Sequence, residues 1–270
     1  MKRKNLSGFF ALALLLLLWH AGSVLLDKPF LPGPIVVIRT FVRVLSSGGL
    51  NRHILTSAYR VLGGTALALA FALPAGLAMG RSGRIDSALF PFVSILYPIP
   101  KVVFLPIIIV LLGLGDPPKI FLIALVVCFQ LVTVIRDSAK SIPGQYLQAM
   151  RSMGARPSQT LRHLIFPCCL PGILTSLKST LGASMAVLYI AETFASFSGL
   201  GYYISNRMDC REYCEMYAGI LALSLFGGAL YILLERAERL FCGWNMPQPG
   251  ESSEKPPPGK ISAAQGKNVL

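Results

Sequence analysis

Three observations predict an all-α membrane protein with six transmembrane helices. Apolar residues make up 54% of the 270 positions and charged residues only 14%, a balance shifted from that of soluble domains toward membrane proteins. Six apolar stretches are each long enough to cross a hydrocarbon core of roughly 30 Å, which takes about twenty helical residues. With few exceptions, the charges fall in the loops between these stretches.

The first stretch, residues 9–26, follows Lys2, Arg3 and Lys4. Ala21-Gly22-Ser23 imitates a cleavage site, so a removed signal peptide is the alternative to a first span. Residues 34–45 alternate apolar positions with Arg39 and Arg43, four apart, and predict an amphipathic helix on the outer interface. The remaining spans are expected at 56–79, 88–112, 118–135, 164–191 and 216–234. With the amino end inside, Arg81, Arg84, Arg136, Lys140, Arg151, Arg156, Arg162, Arg236 and Arg239 fall on the cytoplasmic side, as basic residues prefer. Lys28, Arg39, Arg43, Arg52, Arg60, Lys119, Arg207 and Arg211 are assigned to the outer face. Both termini are then cytoplasmic, and residues 246–270, rich in Pro, Ser, Gly, Lys and Glu, predict a disordered tail.

Charge inside hydrocarbon costs roughly 2.5 to 3.5 kcal/mol at a helix centre on insertion scales, so Lys101, Lys178 and Glu192 invite a functional reading. Lys101 follows Tyr97-Pro98-Ile99-Pro100, where two prolines deny the third span a continuous hydrogen-bond ladder, and Pro106 is expected to interrupt it again. Irregular backbone at this depth is tolerated beside protein or a water-filled cavity. Pro100 and Lys101 are therefore candidates for the wall of a solute route, with Lys178 facing the same space. The competing reading has the lysines snorkelling to an interface or pairing with Glu192. Glu192 itself reads either as part of a gate or as a helix-end carboxylate facing water.

Between the fourth and fifth spans lies a polar stretch, residues 136–178. Residues 143–153 (PGQYLQAMRSM) predict a short helix opened by Pro143, with Leu147, Met150 and Met153 along one edge and Gln148, Arg151 and Ser152 opposite. Gly154 supplies the left-handed residue that ends helices, and Pro157 opens a second piece at 158–165. An apolar edge with two methionines suits a groove on another protein. The alternative is a linker folded against its own bundle.

The run QYLQAMRSMGARPSQTLRHLIFPCCLPGILTSLK resembles the EAA loop of ABC importer permeases. Gln148, Ala149 and Met150 fall on the family's Glu-Ala-Ala, Gly154 on its glycine, and Ile165-Phe166-Pro167 on its later proline signal. Gln148 in place of glutamate removes a charge, leaving a neutral amide at roughly half the strength of a charge-assisted hydrogen bond. With LPGPIVVIRTFVRVLSSGGL, SAYRVLGGTALALAFALPAGLAMGRS, YPIPKVVFLPIIIVLLGLGDPPKIFLIAL and AETFASFSGLGYYI in order, residues 31–243 resemble the nitrate/sulfonate/taurine-type branch. The resemblance implies a type I ABC importer permease bundle with a cytoplasmic coupling helix, in a bacterial inner membrane. It also implies two permease copies, two ATPase subunits that bind ATP and Mg²⁺, and a periplasmic or lipid-anchored binding protein. On this reading Leu147, Gln148, Ala149, Met150, Met153, Gly154 and Pro167 dock the ATPase. The segment after Glu192 becomes a re-entry toward the periplasmic face. Expected solutes are sulfonates, nitrate, taurine or vitamin precursors. The expected organisation is a basic start and first span at 1–30, a periplasmic segment at 31–55, a five-span core at 56–245 with the EAA-like loop at 141–167, and the tail.

Other classes fare worse. A net charge of +13 spread over loops on both faces lacks the clustered stripe of a nucleic-acid binder and suits contacts to lipid headgroups. Gly113-Leu114-Gly115-Asp116 matches an intramembrane aspartyl protease pattern, but that chemistry needs a second carboxylate close by. Asp86 is thirty residues earlier on the same expected helix, roughly 45 Å away. Asp116 before Pro117-Pro118 is therefore read as a turn. No phosphate-binding loop is present, so ATP hydrolysis is expected in a partner and no cofactor or metal in this chain. Cys210 and Cys214, four apart, are poorly spaced for a disulfide. An ATP-independent carrier or channel, and a non-transporting membrane scaffold, remain the alternatives.

Overall fold

The computed structural model describes residues 2–243, and every regular element among them is helical. The expected tail at 246–270 lies outside the described residues. The helices are α1 (Lys2–Leu26), α2 (Pro34–Ser46), α3 (Asn51–Arg81), α4 (Gly83–Leu96), α5 (Leu105–Leu112), α6 (Pro117–Lys140), α7 (Gly144–Ser152), α8 (Pro157–Thr160), α9 (Phe166–Thr193), α10 (Leu200–Asp209) and α11 (Tyr213–Phe241). Of these, α3, α6, the α8–α9 unit and α11 are long and apolar enough to cross a membrane, and the bent pair α4 and α5 makes a fifth span if counted as one. The six expected spans are reached only by adding α1, whose described apolar part, Ala13–Leu26, is shorter.

The centre of the bundle is α6, with half of its apolar window buried, more than any other span. It runs parallel to α3, and the sequence of α3 explains how closely they approach. Gly64, Ala68, Ala72, Gly76 and Gly80 recur at every fourth position, which puts them on one stripe of the helix. A Cβ added at Gly64 would sit 2.7 Å from Ile123 Cγ2, and one at Gly76 would sit 2.8 Å from Ile135 Cβ. At Gly80 it would meet Ala139 Cβ at 2.5 Å. The branched side chains of α6 therefore fill the space that α3 leaves open, over some four turns. In hydrocarbon, where lipid tails compete equally for apolar surface, such close backbone approach is a main source of helix association.

Helix α9 runs antiparallel on another side of α6, with Cys169 facing the Ile135 carbonyl and Gly172 seated on Ser138. Helix α11 packs against α9, and α2 lies against α11, with Arg43 3.9 Å from Glu215 in its first turn. The buried side of α2 carries Pro34, Val37, Thr40 and Val44, while Ile35, Val36, Ile38 and Val42 are exposed. This apolar outer face suits a helix lying in the bilayer interface.

The return from α3 to α6 is broken as the prolines require. Helix α4 ends at Leu96, a single 3₁₀ turn spans Lys101–Phe104, and α5 leaves at 84° to α4. Pro106 does not interrupt a helix. It occupies the first turn of α5, where a missing N–H costs nothing. At its start α4 is tied down by Asp86, which pairs with Arg136 and Lys140 of α6, while the Arg136 guanidinium lies 3.5 Å from the centre of the Phe90 ring.

Replacing Gly76 with Val is expected to overpack the α3–α6 seam and destabilise the protein by about 1–3 kcal/mol. Gly63→Ala, whose Cβ would stand an ordinary 3.5 Å from Ile120, should not lower the unfolding midpoint. Thermal unfolding of the two variants in detergent distinguishes them.

Candidate functional site

Helix α9 joins two unusual regions, an exposed hairpin before its first residue and a buried polar cluster at its last turn. The hairpin begins at α7, with Pro143 just outside the helix as its N-cap. Gly154 takes φ +70°, and the Gly154 and Ala155 N–H groups donate to the Arg151 and Met150 carbonyls at 2.9 and 3.0 Å. This is the left-handed stop expected of a glycine after a helix. Pro157 opens α8, and Gln159 caps its start by accepting the Arg156 N–H at 2.7 Å. A π-helical turn, Leu161–Ile165, then leads into α9 with Pro167 in its first turn.

The apolar edge of α7 divides. Leu147 packs against the bundle's own core, Met150 is half-buried, and Met153 is 72% exposed. Gln148 and Ala149 are exposed beside Tyr146. Leu147 thus anchors the hairpin to the bundle, while Tyr146, Gln148, Ala149 and Met153 are left to solvent. The self-packed reading of the hairpin thus holds for Leu147 but not for Tyr146, Gln148, Ala149 and Met153.

At the far end of α9, Glu192 has no exposed surface. Its carboxylate accepts from Ser57 Oγ at 2.8 Å, from Arg60 Nη1 at 2.7 Å and from the Gly201 N–H at 2.8 Å. Arg60, 2% exposed, also donates to the Ser198 carbonyl at 2.8 Å and from Nε to Asp116 at 2.8 Å. Ser57 in turn accepts the Leu200 N–H at 2.8 Å, and His53 Nδ1 accepts the Gly199 N–H at 3.2 Å. Lys119, 1% exposed, donates to the Gly115 carbonyl at 2.8 Å. The segment after α9 is therefore folded back over the start of α3 and held there by polar bonds.

Glycine is required at two points of this fold-back. Gly199 has φ +109°, and a Cβ there would overlap the Glu192 carboxylate. A Cβ at Gly201 would sit 2.6 Å from the Tyr189 carbonyl. Beyond it, the Tyr203 hydroxyl donates to Glu215 at 3.0 Å, and burial, then this carboxylate, pushes the phenol well above its usual range.

Several expectations change here. Arg60 and Lys119, expected among the loop charges of the outer side, are buried within the protein, because the fold-back and the loop before α6 cover them and supply acceptors. Asp116 stands in the turn expected of it, between Gly115 and Pro117, but it also binds Arg60. A water-facing Glu192 is ruled out by its burial. Lys178 does not pair with Glu192, which lies about 21 Å further along the same helix; it pairs with Glu238 of α11. Lys101 donates to the Tyr97 carbonyl and lies 5.0 Å from the centre of the Phe129 ring. Pro100 caps the 3₁₀ turn beside it. The structure thus does not bring Lys101, Lys178 and Glu192 into one site. Cys210 and Cys214 are free thiols, and among the described residues no three His, Cys, Asp or Glu side chains converge.

Sequence reasoning missed Ser57, Arg60 and Asp116. A signal for Arg60 was present, since it lies four residues inside an expected span, at a depth where an unpaired charge is costly.

Comparison with known proteins gives a consistent picture. Residues 68–241 match the model of the family described as binding-protein-dependent transport system inner membrane component. The chain is 29% identical over 241 residues to the taurine transport system permease TauC of Escherichia coli K12, covering 87% of this chain and 88% of TauC. It is 27% identical over 241 residues to SsuC of Bacillus subtilis 168, assigned as an aliphatic sulfonates transport permease, covering 88% and 87%. A chain of the inward-facing MetNI methionine ABC transporter superposes with a TM-score of 0.61 at 20% identity, covering 71% of this chain and 95% of that one.

Arg60→Met leaves the Glu192 carboxylate buried without its cation and should cost about 3–5 kcal/mol. Adding Glu192→Gln to it should restore part of that loss, because the amide keeps hydrogen-bond partners without a charge. Denaturant midpoints of the single and double variants measure both effects.

Proposed function

The chain belongs to the binding-protein-dependent transport inner membrane components, as an ABC importer permease of the taurine/sulfonate type, and we propose that α9 couples its solute route to a separate ATPase. The observation that carries this reading is mechanical. An exposed hairpin, stiffened by the Gly154 stop and anchored by Leu147, continues directly into a 28-residue helix that ends in the Glu192 cluster. A helix of that length spans about 42 Å. Displacement of the hairpin is transmitted along it to the opposite face.

In this reading Tyr146, Gln148, Ala149 and Met153 meet the ATPase subunit, with Met150, Gly154 and Pro167 shaping the contact and Leu147 holding it to the bundle. The ATPase carries ATP and Mg²⁺, two copies of it serve two copies of this permease, and a binding protein delivers solute from outside. The hairpin, both termini and the Asp86–Arg136–Lys140 cluster face the cytoplasm. Pro100, Lys101 and Lys178 border the route, where Lys178 and Glu238 present opposite charges. Glu192 serves as the pin of the outer closure rather than as a solute ligand. Taurine and aliphatic sulfonates, for which the relatives TauC and SsuC are named, are the solutes we propose for this chain. Such coupling requires two arrangements of the bundle that ATP and solute both bias.

Gly154→Val forces a β-branched residue into the left-handed region, at roughly 1–2 kcal/mol. ATP-dependent uptake in proteoliposomes containing the permease, its ATPase and its binding protein should fall about tenfold or more. Normal ATPase copurification with normal uptake in this variant would remove the lever. Vesicles lacking the ATPase should take up no solute, and uptake there would favour an ATP-independent carrier. Mass spectrometry of the small molecule retained by the purified binding protein identifies the solute.

A further inference from the structure

Between the last two turns of α3 and the hairpin lies a groove of about 540 Å³, within the range that holds a drug-sized molecule. Its walls are almost wholly apolar and include Leu77, Leu147, Leu161 and Ile165. Two exposed arginines line it, Arg81 from the last turn of α3 and Arg151 from the last turn of α7. Among the described residues neither makes an ion pair, although their neighbours on α6 do: Arg136 and Lys140 are both held by Asp86. Arg84, Arg156 and Arg162 are likewise without an ion pair, and Arg81 and Arg151 differ from them in lining the groove.

The depth of the groove says what fits it. Pro74, Leu77 and Ala78 belong to a helix long and apolar enough to span the membrane, and Arg81 is its final residue. The apolar walls therefore run along the hydrocarbon edge, and the two arginines stand where the span ends and headgroups begin. We propose that this groove binds an anionic phospholipid, with the phosphate held by Arg81 and Arg151 and an acyl chain laid along Leu77, Leu161 and Ile165. Basic pockets between spans at a membrane face recognise anionic headgroups in this way. Because one arginine comes from α3 and the other from the hairpin, the lipid bridges the two and braces the hairpin against the bundle. The proposal needs only that the spans cross a bilayer, and it stands whichever partner the hairpin meets.

The test is native mass spectrometry of the full chain purified in mild detergent and exposed to equal amounts of phosphatidylglycerol and phosphatidylcholine. The intact protein should retain phosphatidylglycerol preferentially, and Arg81→Gln with Arg151→Gln should lower that retention about tenfold. Ala78→Phe fills the groove without altering charge and should lower it as well; it carries the test alone if the double variant aggregates. Arg84→Gln, outside the groove, should behave as the unaltered protein. Unchanged retention in both groove variants, or an equal loss in Arg84→Gln, overturns the site. Displacement of the lipid by glycerol phosphate, which has no acyl chain, would assign the groove to a free phosphate compound instead.

Discussion

The closeness of α3 to α6 is the constraint on which the other contacts depend. Two parallel helices can touch along four turns only if one of them gives up its side chains, and Gly64, Ala68, Ala72, Gly76 and Gly80 do so. Because the helices are parallel, the chain must cross the bundle between them. That crossing is the elbow of α4 and α5, with prolines where the ladder is cut. The buried face of α6 then receives α9 on its other side, so the position of the long α9 is set by the same seam. Van der Waals contact, rather than expulsion of water, supplies the attraction here.

The polar cluster around Arg60 and Glu192 solves a different problem. A span that ends in a fold-back leaves N–H and carbonyl groups without helical partners, and these must be satisfied internally where water is scarce. The Gly201 and Leu200 N–H groups and the Ser198 carbonyl find partners in Glu192, Ser57 and Arg60. Each of these side chains also neutralises or orients another, so removing one member exposes the rest. A buried ion pair contributes little net stability by itself. Its value here is in specifying one path for the backbone between α9 and α10.

Much of this architecture was legible in the sequence because hydropathy, proline and glycine each act locally. The spans, the elbow after Leu96, the Gly154 stop and the Pro157 restart all follow from residues that bend or end a helix by their own covalent structure. Pairings between distant positions were not legible. Nothing near Lys178 in sequence points to Glu238, sixty residues on, and nothing near Arg60 points to Glu192. Leu147 was placed with Met150 and Met153 by helical spacing, yet spacing gives a shared side and not what that side faces. The small stripe on α3 was present at fourfold spacing, and its meaning emerged only once Ile123 and Ile135 were seen to fill it.

The π-helical turn at Leu161–Ile165 sets the angular phase of everything after it. One additional residue in a turn rotates the following helix by about 100°, one residue's share of a 3.6-residue turn. With the hairpin fixed by Leu147, regular winding through this stretch would aim Cys169 and Gly172 away from α6 and swing the Glu192 carboxylate off Arg60. The wide turn therefore acts as a phase shifter, and a chain shorter by one residue there would keep its composition and spans while losing the alignment of its two ends.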